Sequence, residues 1–352
     1  MNATAAIAGV KPASNAAISD RLAAHGRAAA AEVARYLKAG CAAPFLDDLL
    51  ADYPSRGGKM LRPAICMANA RVFGGDERAG VGCAAAIEIL HNGLLIHDDI
   101  QDGSEVRRGR PTLHRLHGVA LAINAGDALM FSALRPLIDA LRPLGSGVAR
   151  QVLEATMTMA RETAEGQALE LGWRDRNVLE LSEADYFRMA LKKTAWMGMI
   201  WPSQLGLIVG SAGRADPQSV MRFGYFLGVA FQIEDDVRNL CEDPGYGKER
   251  NGDLYEAKRT LMLIHARGAS APRDRERLDA FLALPRAART ERDVQWLAAL
   301  MRDLGSIEHG RTVGVAMAGA AQHEFSLAYA GRPPSEDLSF LAGLAIWVVG
   351  RP

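Results

Sequence analysis

Residues 84–115 read AAAIEILHNGLLIHDDIQDGSEVRRGRPTLHR, and the apolar positions in this stretch recur at the three- and four-residue spacing of a helix. That helix runs into three acids, Asp98, Asp99 and Asp102, and then into four arginines, Arg107, Arg108, Arg110 and Arg115. Outward from it, the same periodicity returns in Ala/Leu/Met-rich stretches at 20–39, 121–142, 147–172, 183–212 and 217–241, with few alternating β-branched runs. The chain therefore reads as all-α. Breaks fall at Gly57-Gly58, Gly74-Gly75, Pro143 to Gly147, Asp216-Pro217 and Pro244 to Gly247, gaps short enough for mostly antiparallel neighbours. Residues 267–294 are Arg- and Asp-rich with weaker periodicity and read as solvated connecting helices. The expected organisation is a loose tail over 1–17 and one helical domain over 18–352.

Composition narrows the function. The chain has 352 residues, 49% of them hydrophobic, with 41 Lys+Arg against 41 Asp+Glu. That excludes disorder and a collagen-like repeat, and zero net charge supplies no global field for nucleic acid or an anionic membrane. Recognition of a charged ligand has to be local. Cys41, Cys66, Cys83 and Cys241 are too scattered for a zinc site or a disulfide framework. The N-terminus lacks a charged segment followed by an apolar one, and no run of about 20 uninterrupted apolar residues occurs, so a cytoplasmic protein without stable membrane insertion is expected.

Asp98 and Asp102 are four residues apart, which puts both carboxylates on one helix face a turn apart. Isolated acids at a helix end are usually just solvated. Three of them against the negative end of the helix dipole are unfavourable unless a cation compensates. Mg²⁺ meets that need with oxygen ligands and characteristically shares them with substrate phosphates. Arginine forks on the far side suit phosphate oxygens. Lys59 and Arg62, after a glycine pair, suit a second anion, and His91 lies two turns before Asp98 on nearly the same face. A second acidic cluster, Asp235 and Asp236, ends another apolar helix, with the uncharged Asn239 four residues after Asp235. Lys248 and Lys258 add cations downstream, and Lys193-Thr194 interrupts an apolar helix, where a buried lysine calls for an anion.

These residues resemble the trans-isoprenyl diphosphate synthases, or polyprenyl synthetases. The similar motifs are GGKMLRP at 57–63, IEILHNGLLIHDDIQDGSEVRRGRPTLH at 87–114, NAGDAL at 124–129, KKTAW at 192–196, FQIEDDVRNL at 231–240 and GYGKERNGDLYEAKRTLMLIHA at 245–266. The resemblance implies a bundle of mostly antiparallel helices around a deep central cavity, working as a homodimer. It implies that Asp98, Asp102 and Asp235 ligate Mg²⁺, about three ions per site. An allylic diphosphate would be held by Arg107, Lys193, Thr194, Gln232, Lys248 and Lys258, and isopentenyl diphosphate by Lys59, Arg62, His91 and Arg108. The implied reaction is ionisation of the allylic diphosphate and head-to-tail attack by the isopentenyl alkene, a chemistry of positioning and electrostatics with no protein nucleophile. The resemblance also places product length beside the first acidic motif, where Gly93 and Leu94 leave no aromatic stop. Leu90 and Ile87, with Met130 or Phe131, become the next floor, and the expected product is geranylgeranyl diphosphate (C20). Two alternatives stand beside this. A class I terpene cyclase ionises a single prenyl diphosphate, for which Lys59, Arg62, His91 and Arg108 have no use. A non-catalytic partner subunit has no need to keep the acids.

Overall fold

The computed structural model describes residues 10–38, 43, 45–241 and 251–350. Its helices are α1 (Asn15–Lys38), α2 (Asp47–Ser55), α3 (Leu61–Val72), α4 (Glu77–Asp102), α5 (Leu113–His117), α6 (Val119–Ser132), α7 (Leu134–Leu141), α8 (Ser146–Asp175), α9 (Glu183–Ala190), α10 (Trp201–Gly210), α11 (Met221–Leu240), α12 (Gly252–Tyr255), α13 (Leu261–Ala269), α14 (Pro272–Leu282), α15 (Glu291–Asp303), α16 (Ser306–Ala328) and α17 (Glu336–Val349). A π-helical segment, Leu191–Ile200, joins α9 to α10 without a break. Among the described residues the all-α reading holds apart from a small hairpin, β1 (Val106–Arg107) with β2 (Arg110–Pro111), antiparallel with Arg107 opposite Arg110. Arg108 and Gly109 turn it at φ 53° and 73°.

Helix α4 starts and stops where its sequence dictates. The Asp76 carboxylate accepts the Arg78 N–H at its start, and Gly103, at φ 63°, ends it while Ser104 N–H closes back on Asp99 O at 2.9 Å. Around it the helices pack pairwise in a ring: α17 on α3, α3 on α4, α4 on α7, α7 on α8, α8 on the π-helical segment, that segment on α11, and α11 back on α17. Helix α10 packs against α3, α4 and α8 within this ring. Gly198 in the π-helical segment is buried, yet a Cβ there would meet nothing closer than Arg62 Nη2 at 4.0 Å, so open space remains beside that guanidinium.

Three expectations need adjustment. Helix α1 begins at Asn15, inside the expected tail, and Ala13 N–H donates to Ser339 O of α17 at 3.0 Å. The helices over 267–294 are not merely solvated: Leu278, Phe281 and Leu282 join Val294, Leu297 and Met301 in a second apolar core. The stretch 121–142 is two helices, broken at Ala133. Among the described residues, two helical stretches, Glu77–Asp102 and Val119–Leu144, are long and apolar enough to cross a membrane by length and composition; the most apolar 18-residue window of the first is 72% buried inside the fold and that of the second 39%.

Candidate active site

The C-terminal end of α4 is the hub. Asp98, Asp102, Arg107 and Lys258 line one cleft together with Asn239, Asp253 and Glu256. Asp102 is nearly inaccessible: Arg174 Nη1 donates to its Oδ1 at 2.7 Å and Lys258 Nζ lies 3.0 Å from its Oδ2. Burial alone would raise the Asp102 pKa, but Lys258, Lys193 and Arg174 outweigh it and hold the carboxyl below its ordinary value. Lys258 also contacts Glu256 at 2.7 Å and Asp253 at 3.4 Å, and these acids keep its ammonium charged against desolvation. Lys193 meets the anion its burial demands, Glu170 at 2.7 Å, with Asp98 at 3.5 Å.

A second group of cations surrounds His91. Burial drives the His91 imidazole well below its usual pKa, and Arg62, Arg108 and Arg107 reinforce the shift, so His91 is neutral near pH 7. Among the described residues the buried Arg62 Nε has no hydrogen-bond partner, and the charges acting on this guanidinium include those of Glu88, Asp235 and Arg108. Arg108 donates to Tyr53 O at 3.3 Å and lies against Gly58, where a Cβ would come within 2.8 Å of its Nη2. The hairpin that presents Arg107 and Arg108 is braced by Arg56, which donates to Arg107 O at 3.1 Å, Arg110 O at 3.3 Å and Pro111 O at 2.9 Å. Lys59 is exposed at the start of α3.

On α11, half-buried Asp235 stands next to Asp236, which is buried, accepts from Tyr186 OH at 2.8 Å and from Gln232 Nε2 at 2.6 Å, and is pushed well above the usual carboxylate range by burial. Thr194 Oγ1 donates to Gln232 Oε1 at 2.5 Å, linking the π-helical segment to α11. The side-chain oxygen of Asn239 accepts the Asp253 N–H at 3.1 Å, tying the start of α12 to the end of α11. Lys248 lies outside the described residues.

The product-length residues separate. Leu90 and Leu94 are partly buried and pack on the main core. Gly93 instead marks the crossing of α4 and α6, where a Cβ would lie 2.8 Å from Gly126 O and 3.0 Å from Met130 Cγ. It is small because a backbone approaches, not because a tunnel opens. Phe131 is 75% exposed and is no floor within this chain.

Sequence reasoning missed several participants. Asp99, wholly buried, is the anchor of Arg107, accepting from its Nε at 2.9 Å and Nη2 at 2.5 Å and from Tyr53 OH at 2.5 Å. Helix α8 contributes a third wall: Gln167 Nε2 reaches Asp98 Oδ1 at 3.3 Å, Glu170 reaches Lys193 and Arg174 reaches Asp102. Gly166 makes this possible, since a Cβ there would lie 2.2 Å from Lys193 N. The available signal was the spacing 167, 170 and 174, one helix face.

Among the described residues no three acidic, histidine or cysteine side chains converge closely enough to hold an ion alone. The acids of the cleft nevertheless offer only oxygen donors, the set a hard cation takes, and such an ion would complete its shell with substrate oxygens.

The chain matches the polyprenyl synthetase family over residues 43–301 and belongs to that family, a class of trans-prenyltransferases. A short chain isoprenyl diphosphate synthase from Methanothermobacter thermautotrophicus is 37% identical over 227 residues, 64% of this chain and 68% of that one. A geranylgeranyl diphosphate synthase from Sulfolobus acidocaldarius is 37% identical over 209 residues, which spans 59% of this chain and 62% of the relative, and farnesyl diphosphate synthases also stand among the relatives. The polyprenyl synthase of Caulobacter crescentus, solved with calcium and isoprenyl diphosphate, superposes with a TM-score of 0.82 at 29% identity, covering 95% of this chain and 98% of that one.

Proposed function

We propose that this chain condenses isopentenyl diphosphate head-to-tail with an allylic diphosphate to give an all-trans prenyl diphosphate. One observation carries the reading: the chain holds two groups of cations, Arg62 and Arg108 acting on neutral His91, and Lys193 and Lys258 paired with Asp98 and Asp102. Two separately held diphosphates are what a condensation needs; a cyclase acting on one substrate needs a single set.

In this reading Lys193, Thr194, Gln232, Lys248, Lys258 and Arg107 hold the allylic diphosphate, and Lys59, Arg62, His91 and Arg108 hold isopentenyl diphosphate. Asp98, Asp102 and Asp235 hold magnesium, which when bound acts as a Lewis acid that offsets charge on the leaving diphosphate. Arg107 is kept in place by Asp99 and adds fixed positive charge there. Neutral His91 donates a hydrogen bond without adding a charge beside the arginines. The allylic C–O bond breaks with its electron pair departing on diphosphate. The alkene π pair of the isopentenyl unit then forms the new C–C bond, and a proton lost to the released diphosphate restores the double bond. Leu90 and Leu94 wall the chain path, and the product proposed is geranylgeranyl diphosphate. The enzyme acts in the cytoplasm as a homodimer.

The test is incubation of the purified protein with Mg²⁺, labelled isopentenyl diphosphate and, separately, dimethylallyl, geranyl or farnesyl diphosphate, followed by separation of the dephosphorylated products. A C20 product that drops by about a hundred- to a thousandfold in Asp98→Ala is expected, the loss that removing one electrostatic element brings. A C15 limit, or products of C25 and above, overturns the length alone. No incorporation with any primer overturns the condensation.

A further inference from the structure

Arg174 sits near the C-terminal end of α8, outside every motif that marks the site. Its Nη1 donates to Asp102 Oδ1 at 2.7 Å and its Nη2 to Gln101 O at 3.2 Å, with the guanidinium side chain 11% exposed and the Asp102 side chain 2%. Because Lys258 takes the other oxygen, both oxygens of Asp102 are engaged by protein cations. The two partners differ in freedom. Lys258 is a flexible stem shared with Asp253 and Glu256, whereas Arg174 is a planar fork on a 30-residue helix. The same face of that helix is fixed by the Gly166 contact with the Lys193 backbone and by Gln167 and Glu170. Glu170 and Asp102 hold the guanidinium firmly charged against its burial.

We infer that Arg174 is a built-in counter-cation for Asp102, which opposes metal binding at this carboxylate until a diphosphate arrives, so that metal and diphosphate load together. The inference rests on the metal-diphosphate reading above. A fixed positive charge about 5 Å from an incoming divalent ion weakens its binding by more than tenfold even at an effective dielectric of about 20. A diphosphate brings negative charge that offsets the guanidinium, and the gain is reciprocal: diphosphate improves metal affinity by the factor by which metal improves diphosphate affinity.

The experiment is titration of Mn²⁺, read from the free-ion electron paramagnetic resonance signal, into the wild type, Arg174→Gln and Arg174→Lys, with and without inorganic pyrophosphate. Without pyrophosphate, Arg174→Gln is expected to bind Mn²⁺ at least about tenfold more tightly than the wild type, while Arg174→Lys, which keeps the charge, stays close to it. Pyrophosphate is expected to raise Mn²⁺ affinity by a larger factor in the wild type than in Arg174→Gln. Equal affinities in all three proteins, or weaker binding in Arg174→Gln, overturn the inference and leave Arg174 a clamp between α8 and α4. Circular dichroism confirms folding, and Arg174→Met, which keeps the stem's packing, reads the same quantity if the glutamine variant melts. Isopentenyl incorporation by the wild type judges the underlying reading separately: incorporation with unchanged Mn²⁺ affinities removes only the role of Arg174, and no incorporation removes the reading itself.

Discussion

Glu256 carries a carboxyl pushed up to about 7 from an ordinary 4.5, first by burial and then by Asp102 and Asp253, with Lys258 pulling the other way. Between those two values the folded chain keeps a proton that the unfolded chain has released, so folded stability falls as pH rises from about 4.5 to about 7 and is level above. Glu256→Gln is therefore expected to flatten that slope by an amount on the order of a few kcal/mol, measured as thermal stability of the metal-free protein across pH 4.5 to 7.5 at constant ionic strength. An unchanged slope would place the titration elsewhere. At this scale the sequence was legible where the logic is charge against charge: Asp98, Asp102, Arg107, Lys193 and Lys258 meet in one place because acids at a helix end demand cations. It was not legible where one residue serves another across helices. Asp99 reads only as one more acid at the helix end that needs a cation, and the fold shows its carboxylate spent on Arg107 and Tyr53. Gln167, Glu170 and Arg174 read as the polar face of an amphipathic helix, which they also are.

Helices are announced by periodicity, but their contacts depend on what lies opposite, and Gly93 shows the difference. In the sequence a glycine before an acidic motif is an opening; in the fold it is the point where α4 meets the backbone of α6. Gly93→Ala puts a methyl 2.8 Å from Gly126 O, a backbone atom that cannot step aside, and is expected to cost about 1–3 kcal/mol. Gly126→Ala meets the His97 ring at 2.3 Å. That ring is partly exposed and held by Ile123 O at 3.3 Å and Asp127 at 3.4 Å, so it can rotate out and the cost is smaller. Urea denaturation of the two variants checks the order, and Gly126→Ala losing more stability than Gly93→Ala would contradict the assignment of the crossing. The π-helical segment escaped the sequence for a related reason: Leu191–Ile200 has helical composition throughout, and the wider winding that sets Lys193 toward Glu170 and Thr194 toward Gln232 leaves no mark on its periodicity.

For the whole molecule, the informative surface is the one the ring does not use. Helices α6, α7 and α8 leave Ile123, Phe131, Leu134, Ile138, Leu153 and Met157 between 43% and 75% exposed, and the pairs 153/157 and 134/138 each lie one turn apart on a single helix face. A solvated surface of that composition is expected to be covered. In the proposed homodimer, stretch 121–142 is as apolar as a core helix because its two helices would face the fold on one side and a second copy on the other. Phe131 and Met157 are 75% and 65% exposed in the single chain, so changing them removes little intramolecular packing. The double variant Phe131→Asp, Met157→Asp is expected to fold with an unaltered circular dichroism spectrum while its dimer dissociation constant rises on the order of a hundredfold or more. Light scattering after size-exclusion chromatography, run over a range of protein concentrations, reads this directly. A wild type that is monomeric at micromolar concentration removes the homodimer. A dimer that survives both aspartates moves its interface away from α6, α7 and α8, and leaves the apolar half of that surface to a different partner.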